Sequence, residues 1–188
     1  NGLSSSYEIL LKNSNSYSNN SNNFEENSNY DLYGTVKFDT SLPMKKNLNN
    51  SIHFLKPIIS LSYSPNGNRD IASKDVKLKY NNVFSLNRIG DPHQVEGGEA
   101  LTAGLEFKRI KSDDTSAVDF KIANVLKKEE NIKLPKKSKL NKTRSDIFGN
   151  LNYYFNDKSK IGYFFSYDRD LKYSNSDEID FTYGVNNF

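Results

Sequence analysis

A strict two-residue alternation beginning at Leu101 constrains this chain more than any other feature of its sequence. Apolar side chains alternate there with polar or small ones as far as Lys108. A period of two places the two sets on opposite faces of a β-strand. The preceding stretch from Val83 has no clean period and contains the turn signals Asp91-Pro92 and Gly97-Gly98. We predict an irregular loop that leads into a strand with one apolar and one polar face.

The same alternation recurs along the chain, and no segment of useful length shows a helical period. Pro57 falls inside one alternating segment and weakens it, because proline cannot donate to a strand ladder. The sequence predicts an all-β, antiparallel, up-and-down arrangement of about eight strands, with cores at 7–11, 32–38, 55–63, 101–110, 118–126, 147–155, 161–167 and 179–185.

Composition narrows the class of β-protein. Only 35% of the residues are apolar and the mean hydropathy is −0.76, yet Tyr and Phe number 12 each. This combination favours a barrel with a polar interior, or a sheet with one polar face. A net charge of +3 gives no nucleic-acid footprint. The absence of cysteine excludes disulfides and thiolate metal sites within the chain, and no apolar run is long enough for a transmembrane helix.

The predicted loops alternate in length. Long polar loops at 14–29, 64–100 and 127–143 alternate with shorter connections at 43–50, 111–116 and 156–159. Outer-membrane barrels have short turns at one rim and long loops at the other. We therefore expect residues 1–188 to be part of a transmembrane outer-membrane β-barrel, forming an open curved sheet as a fragment. The side chains expected to face lipid are Leu101, Leu105, Phe107, Val118, Phe120, Ile122, Ile147, Leu151 and Tyr153.

The sequence offers little for catalysis or cofactor binding. His53 and His93 lie in different contexts, and neither belongs to a nucleophile constellation. Gly97-Gly98 lacks the helix and lysine of a phosphate-binding loop. We expect no enzyme activity, no cofactor and no metal site.

Two ordered blocks resemble the LptD (OstA) family of outer-membrane lipopolysaccharide-assembly proteins. The first block runs from Phe84 to Gly90, continues through Val95-Glu96-Gly97-Gly98, and ends in Leu101-Thr102-Ala103-Gly104-Leu105. The second block contains Leu134-Pro135, Ser138 and Leu140, followed by Arg144-Ser145-Asp146-Ile147-Phe148-Gly149. His93-Gln94 departs from an Asp-Arg that is frequent in the family.

The resemblance implies a fragment of the family's C-terminal barrel domain, in the outer membrane of a Gram-negative bacterium. It implies lipopolysaccharide transport and assembly at the outer leaflet, with this chain as a wall segment of the translocon rather than its lateral gate. The implied partners are lipopolysaccharide, outer-membrane lipid, a plug lipoprotein like LptE and a periplasmic transport bridge.

Within the first block we single out Asn87, Arg88, Glu96, Gly97 and Gly98. Arg88 and Glu96 either pair to fix the loop or shape a path for the sugar portion of lipopolysaccharide. The residues singled out in the second block are Pro135, Arg144, Ser145, Asp146 and Gly149.

Arg169 continues the outward register of Tyr163, Phe165 and Tyr167 towards the rim that carries the long loops. A guanidinium there could bind lipid phosphates. Two other functions remain open for the chain. One is a passive porin-like channel, and the other is a surface β-rich adhesin or structural domain.

Overall fold

The computed structural model describes residues 2–17, 28–111 and 117–184. One four-residue α-helix, α1 (Tyr80–Val83), and one 3₁₀ turn (Lys137–Lys139) interrupt the connections in this part of the chain. The nine strands are β1 (Ser4–Tyr17), β2 (Ser28–Ser41), β3 (Met44–Leu48), β4 (Ser51–Ser64), β5 (Gly98–Lys111), β6 (Ala117–Lys127), β7 (Arg144–Tyr154), β8 (Ser159–Tyr167) and β9 (Ser174–Tyr183).

All the strands belong to one antiparallel sheet with the order β1-β2-β4-β5-β6-β7-β8-β9, and β3 also pairs with β4. Apart from β3, which continues β2, consecutive strands are neighbours, so the chain moves up and down across the sheet. The sheet is open, with β1 and β9 at its two ends. The predicted all-β antiparallel fold is confirmed, and an open sheet of this kind is consistent with a segment of a barrel wall.

The short strand β3 continues β2 along the same neighbour. Ser41 is opposite Ile58 and Met44 is opposite Leu55, so β3 keeps the register of β2 across the break at Leu42–Pro43. Pro57 of β4 faces this break, where its carbonyl accepts a hydrogen bond from Leu42 N at 3.2 Å. The missing N–H of Pro57 therefore falls where the neighbouring strand is already interrupted, and β4 runs through the proline from Ser51 to Ser64.

The connections sort by rim. The long-loop rim carries 65–97, 128–143 and 168–173, and the short-turn rim carries 49–50 and 155–158. β1 ends and β2 begins at the long-loop rim, and β5 ends and β6 begins at the short-turn rim. Residues 14–17 and 28–29, expected in a loop, instead extend β1 and β2, because their backbones complete the antiparallel ladder from Ser14–Asp31 to Tyr17–Ser28. The predicted 43–50 connection contains β3 and a two-residue turn. Val185, expected at the end of the last strand, lies outside the described residues.

The two faces of the sheet differ in what lies on them. Loops 65–97 and 128–143 pack on one face, here called the covered face. Their side chains form an apolar cluster with three residues of the sheet, Ala123, Val125 and Phe148. The main loop members of this cluster are Ile71, Leu78, Tyr80, Val83, Ile89, Leu134 and Leu140, and all of them are buried.

Most other side chains of the covered face are polar. Lys37, Ser60, Thr102, Asn150 and Asn152 are buried there. The opposite face, here called the uncovered face, keeps its apolar side chains exposed or half-exposed. Its most exposed members in the outer strands include Tyr7, Ile9, Leu11, Leu32, Ile179, Phe181 and Tyr183.

Candidate functional site

The residues of the first block converge on a buried ion triad. Arg88 Nε donates to Glu96 Oε2, and Lys127 Nζ pairs with Glu96 Oε1. The three side chains are only 5–7% exposed. Arg88 Nη1 also donates to Thr102 Oγ1 at 2.9 Å, which connects the loop to β5. The triad thus fixes loop 65–97 to the covered face of the sheet.

Lys127 also joins the two long loops. Its ammonium donates to the carbonyl of Leu140 in loop 128–143, while it pairs with Glu96 of loop 65–97. Lys127 is not among the site residues predicted from the sequence. One signal was present, because Lys127 lies two residues after Val125 at the end of β6 and so shares the face of Thr102.

The charge of Glu96 is maintained by its two cationic neighbours. Burial alone would raise the pKa of Glu96, but the charges of Arg88 and Lys127 outweigh burial and lower it to about 2. A carboxylate with a lowered folded pKa stabilises the fold above its ordinary pKa near 4.5, and this contribution disappears as the pH falls through the folded value. The triad is therefore fully formed at neutral pH.

The remaining residues of the first block shape the backbone. Asn87 Nδ2 donates to the carbonyl of Asp91 at 3.0 Å and closes the Asn87–Gly90 turn. A Cβ at Gly97 would lie 2.1 Å from the carbonyl oxygen of Asn66, so no side chain fits there. Gly98 has φ +93°, a conformation that favours glycine. The glycine pair thus allows loop 65–97 to close against its own start and enter β5.

A second hydrogen-bond network, centred on Asn68, was also missed. Asn68 Nδ2 donates to the carbonyl of Val95 at 2.7 Å and to Gln94 Oε1 at 3.2 Å. Asn68 Oδ1 accepts from Gly97 N at 3.0 Å and from Asn131 Nδ2 at 2.9 Å. The network closes loop 65–97 and contacts loop 128–143. Gln94, one of the two positions that depart from the family pattern, is a buried structural amide, whereas His93 is exposed.

Lys12 of β1 and Lys37 of β2 attach loop 65–97 to the β1–β2 end of the sheet. Lys37 Nζ pairs with Glu8 at 3.0 Å and Asp39 at 2.9 Å, and it donates to the carbonyl of Phe84 at 2.7 Å. Lys12 Nζ donates to the loop carbonyls of Asp91 at 2.6 Å and Gln94 at 3.3 Å. Loop 65–97 therefore contacts the sheet from β1 to β6.

The second block lies at the start of β7 and beneath loop 128–143. Pro135, Ser145 and Asp146 are buried, whereas Arg144 is exposed. Asn124 Nδ2 donates to the carbonyls of Ser145 at 2.9 Å and Asp146 at 3.0 Å, where the β6–β7 register shifts. A Cβ at Gly149 would lie 2.3 Å from Cζ of Phe165. The two blocks thus occupy neighbouring parts of one structure, a polar face closed by two loops.

All nine side chains that were expected to face lipid lie on the uncovered face. None of them is buried, and Leu151 and Tyr153 are 42% and 39% exposed. Cross-strand pairs such as Leu101–Leu126, Leu105–Ile122 and Phe107–Phe120 make this surface continuous from β5 to β6. Contact of these side chains with lipid stays a prediction.

Arg169 lies in the 168–173 turn at the long-loop rim. Arg169 was expected to continue the register of Tyr163, Phe165 and Tyr167, but β8 ends at Tyr167. The chain turns there, because the Asp168 side chain accepts the backbone N–H groups of Lys172 and Tyr173. The Arg169 side chain is 61% exposed and lies 3.4 Å from Asp170. With Arg144 it borders a groove of about 430 Å³ on the uncovered face.

The described ranges contain no cluster of His, Asp or Glu arranged to hold a metal ion. No helix among the described residues is long and apolar enough to cross a membrane. The buried charges of the triad hold two loops on the sheet.

A family model described as LptD, LPS transport system D, matches residues 5–188. The chain belongs to the LptD family. This family acts in lipopolysaccharide transport and outer-membrane assembly, and it is a transport family rather than an enzyme family. No curated protein matches the chain. The family match covers both sequence blocks, and hence both loops of the covered face.

Proposed function

We propose that this chain forms a wall segment of an outer-membrane translocon barrel that delivers lipopolysaccharide to the outer leaflet. One observation carries the proposal: on β5–β7, apolar side chains lie exposed or half-buried on one face, while the mainly polar opposite face lies beneath two loops. Hydrocarbon would contact the uncovered face, and the sugar portion of lipopolysaccharide would travel on the polar side. The chain supplies surface and shape, and the energy for transport enters upstream through the periplasmic bridge.

The same observation distinguishes the proposal from its two alternatives. An open porin-like channel needs a water-filled lumen, whereas loops 65–97 and 128–143 occupy the covered face here. A soluble adhesin would be expected to cover its apolar face, and here that face contains Leu151 and Ile179 at 42% and 73% exposure. Loss of a porin would slow solute uptake, whereas loss of a translocon wall would deplete lipopolysaccharide from the cell surface.

Neighbouring residues on opposite faces give a direct test of orientation. A spin label on Leu105→Cys should contact lipid and be relaxed by oxygen, and a label on the adjacent Glu106→Cys should be relaxed by a water-soluble nickel chelate. The chain contains no cysteine, so within it each label would be unique. The measurement uses the full-length protein in outer-membrane vesicles. Equal exposure of both labels to the nickel chelate would overturn the wall assignment.

The plug lipoprotein would contact the covered face nearer the short-turn rim. Lys108 and Asp119 face each other there across β5 and β6. A photo-crosslinking residue at 108 should capture the plug, and one at 107, on the opposite face, should capture lipid. Capture of the plug from 107 alone would count against this arrangement.

Arg169 is proposed to bind a lipid phosphate at the membrane interface. Its place at a rim supports this role, because an arginine costs little at an interface and about 2–4 kcal/mol at the bilayer midplane. We expect Arg169→Gln to reduce the lipid A that copurifies with the barrel, and Lys172→Gln in the same turn to leave it unchanged. Equal lipid retention in both variants would refute the contact.

A further inference from the structure

A cavity of about 440 Å³ lies on the covered face, between β7–β9 and the two long loops. Two carboxylates, Asp146 and Glu178, line it. Positive charge exceeds negative charge around it, because the lysines that line it are Lys77 and Lys79 from one loop and Lys136, Lys137 and Lys139 from the other. Two loops that are far apart in sequence thus bring cations to one place.

Three of these lysines are occupied by carboxylates. Lys79 Nζ lies 2.6 Å from Glu178, Lys137 Nζ lies 2.7 Å from Asp75, and Lys139 Nζ lies 3.7 Å from Asp146. Lys77 and Lys136 form no ion pair within the described ranges, and both are exposed. Their charges, one from each loop, are available to a ligand that enters from solvent.

Asp146 adds a buried acceptor at the base of the cavity. Its side chain is only 1% exposed. Oδ2 accepts hydrogen bonds from Ser166 Oγ at 3.2 Å and Asn175 Nδ2 at 2.9 Å. Oδ1 lies 3.7 Å from Lys139 Nζ and accepts no hydrogen bond from the residues that the structure describes. Buried polar atoms normally have a hydrogen-bond partner, so this oxygen is suited to accept one from a ligand hydroxyl.

The rest of the lining is mixed. Phe164 presents a ring whose centroid is 5.8 Å from Lys79 Nζ, and Ser138, Asn175 and Ser176 contribute polar groups. Cations suit phosphate or carboxylate groups, hydroxyls and amides suit sugar hydroxyls, and an aromatic ring suits the apolar side of a pyranose. An anionic saccharide offers groups that match all three kinds of lining residue.

We propose that this cavity binds an anionic saccharide carrying phosphate or carboxylate groups, with Lys77 and Lys136 on the acidic group and Asp146 Oδ1 on a hydroxyl. The inference rests on the proposed function, since the sugar portion of lipopolysaccharide would travel along the covered face. It goes further by assigning one subsite on that path. The cavity holds the acidic sugar transiently, because two exposed lysines exchange a ligand more readily than a buried pair does.

The test uses the full-length protein in detergent and the soluble oligosaccharide that mild acid releases from lipopolysaccharide. Calorimetry should give at least about tenfold weaker binding for the double variant Lys77→Gln, Lys136→Gln, because two charge-assisted contacts are lost. Lys133→Gln is the matched control: Lys133 is exposed in the same loop and does not line the cavity. Oligosaccharide stripped of phosphate, and oligosaccharide with reduced carboxyl groups, identify which acidic group binds.

Unchanged affinity in the double variant would overturn the inference, and so would an equal loss in Lys133→Gln. Undiminished binding of both neutralised oligosaccharides would also overturn it. The spin-label comparison of positions 105 and 106 is independent of this experiment. If the labels show the expected orientation but the oligosaccharide does not bind, the subsite is refuted and the wall assignment stands. If the oligosaccharide binds but both labels are in water, the wall assignment is refuted.

Discussion

Glu96 links loop 65–97 to the sheet, because two buried cations, Arg88 of the loop and Lys127 of β6, share its carboxylate. Glu96→Gln would leave Arg88 and Lys127 buried and poorly paired. Breaking a buried ion pair by removing one partner costs about 3–5 kcal/mol. We expect a loss of that order in the free energy of unfolding, measured by denaturant titration of the barrel in detergent.

The control for this substitution is Glu130→Gln. Glu130 pairs with Lys142 at 2.9 Å, but both side chains are about half exposed. Exposed pairs contribute little to stability, so the unfolding midpoint should hardly change. A similar loss in the two variants would mean that burial of the triad does not determine its contribution.

The lowered pKa of Glu96 predicts a defined pH window. Its folded pKa is about 2 and its ordinary value is 4.5, so the carboxylate stabilises the fold above about pH 4.5. Stability should fall as the pH drops from about 4.5 towards 2. The thermal midpoint, followed by circular dichroism, should lose this part of its pH dependence in Glu96→Gln. An unaltered acid profile in that variant would assign acid sensitivity to other carboxylates.

Among the strands, β4 shows how proline is accommodated. The N–H and C=O of one residue in an antiparallel strand point to the same neighbour. The Pro57 carbonyl contacts Leu42 at the β2–β3 break, so its missing N–H costs nothing on the β5 side.

Pro57→Val should change stability little, whereas Ile58→Pro should remove a hydrogen bond to β5 and cost at least about 1 kcal/mol. Heat-modifiable gel migration would report both effects.

Loop 65–97 depends on Asn68 in the same way that the triad depends on Glu96. Asn68→Ala would leave Gln94, Gly97 N and Asn131 without a shared partner. We expect faster proteolytic cleavage within 65–97 in this variant. Asn81→Ala, an exposed change in the same loop, should be cleaved at the parental rate. Equal cleavage of both would mean that the loop is held mainly by its apolar cluster.

The elements differ in how well sequence predicts them. The alternation from Leu101 predicts β5 because one face is apolar and the other polar. It fails for Ser14–Tyr17, where the strand is polar on both faces and only backbone pairing with β2 extends it. The residues of the triad were partly identified, since Arg88 and Glu96 are close in sequence. Lys127 and Asn68 could not be assigned as partners, because their contacts exist only once the loops fold onto the sheet.

At the scale of the whole molecule, each end strand of the described sheet has one unpaired edge, and the uncovered face is mainly apolar. Edge strands such as β1 and β9 present unpaired backbone groups to other chains. We expect residues 1–188, produced alone in detergent-free buffer, to associate into large particles, and detergent above its micelle concentration to disperse them. Sedimentation velocity would measure both states. A stable monomer without detergent would contradict the bilayer orientation proposed here.

The ammonium of Lys12 reaches from the first strand to two carbonyls of a loop that begins more than fifty residues later. Peeling β1 away from β2 would pull on the backbone at Asp91 and Gln94, and through Glu96 on Lys127 and the second loop. The first strand and the lining of the covered face are therefore mechanically coupled. Displacing β1 also displaces loop 65–97 and, through Lys127, loop 128–143.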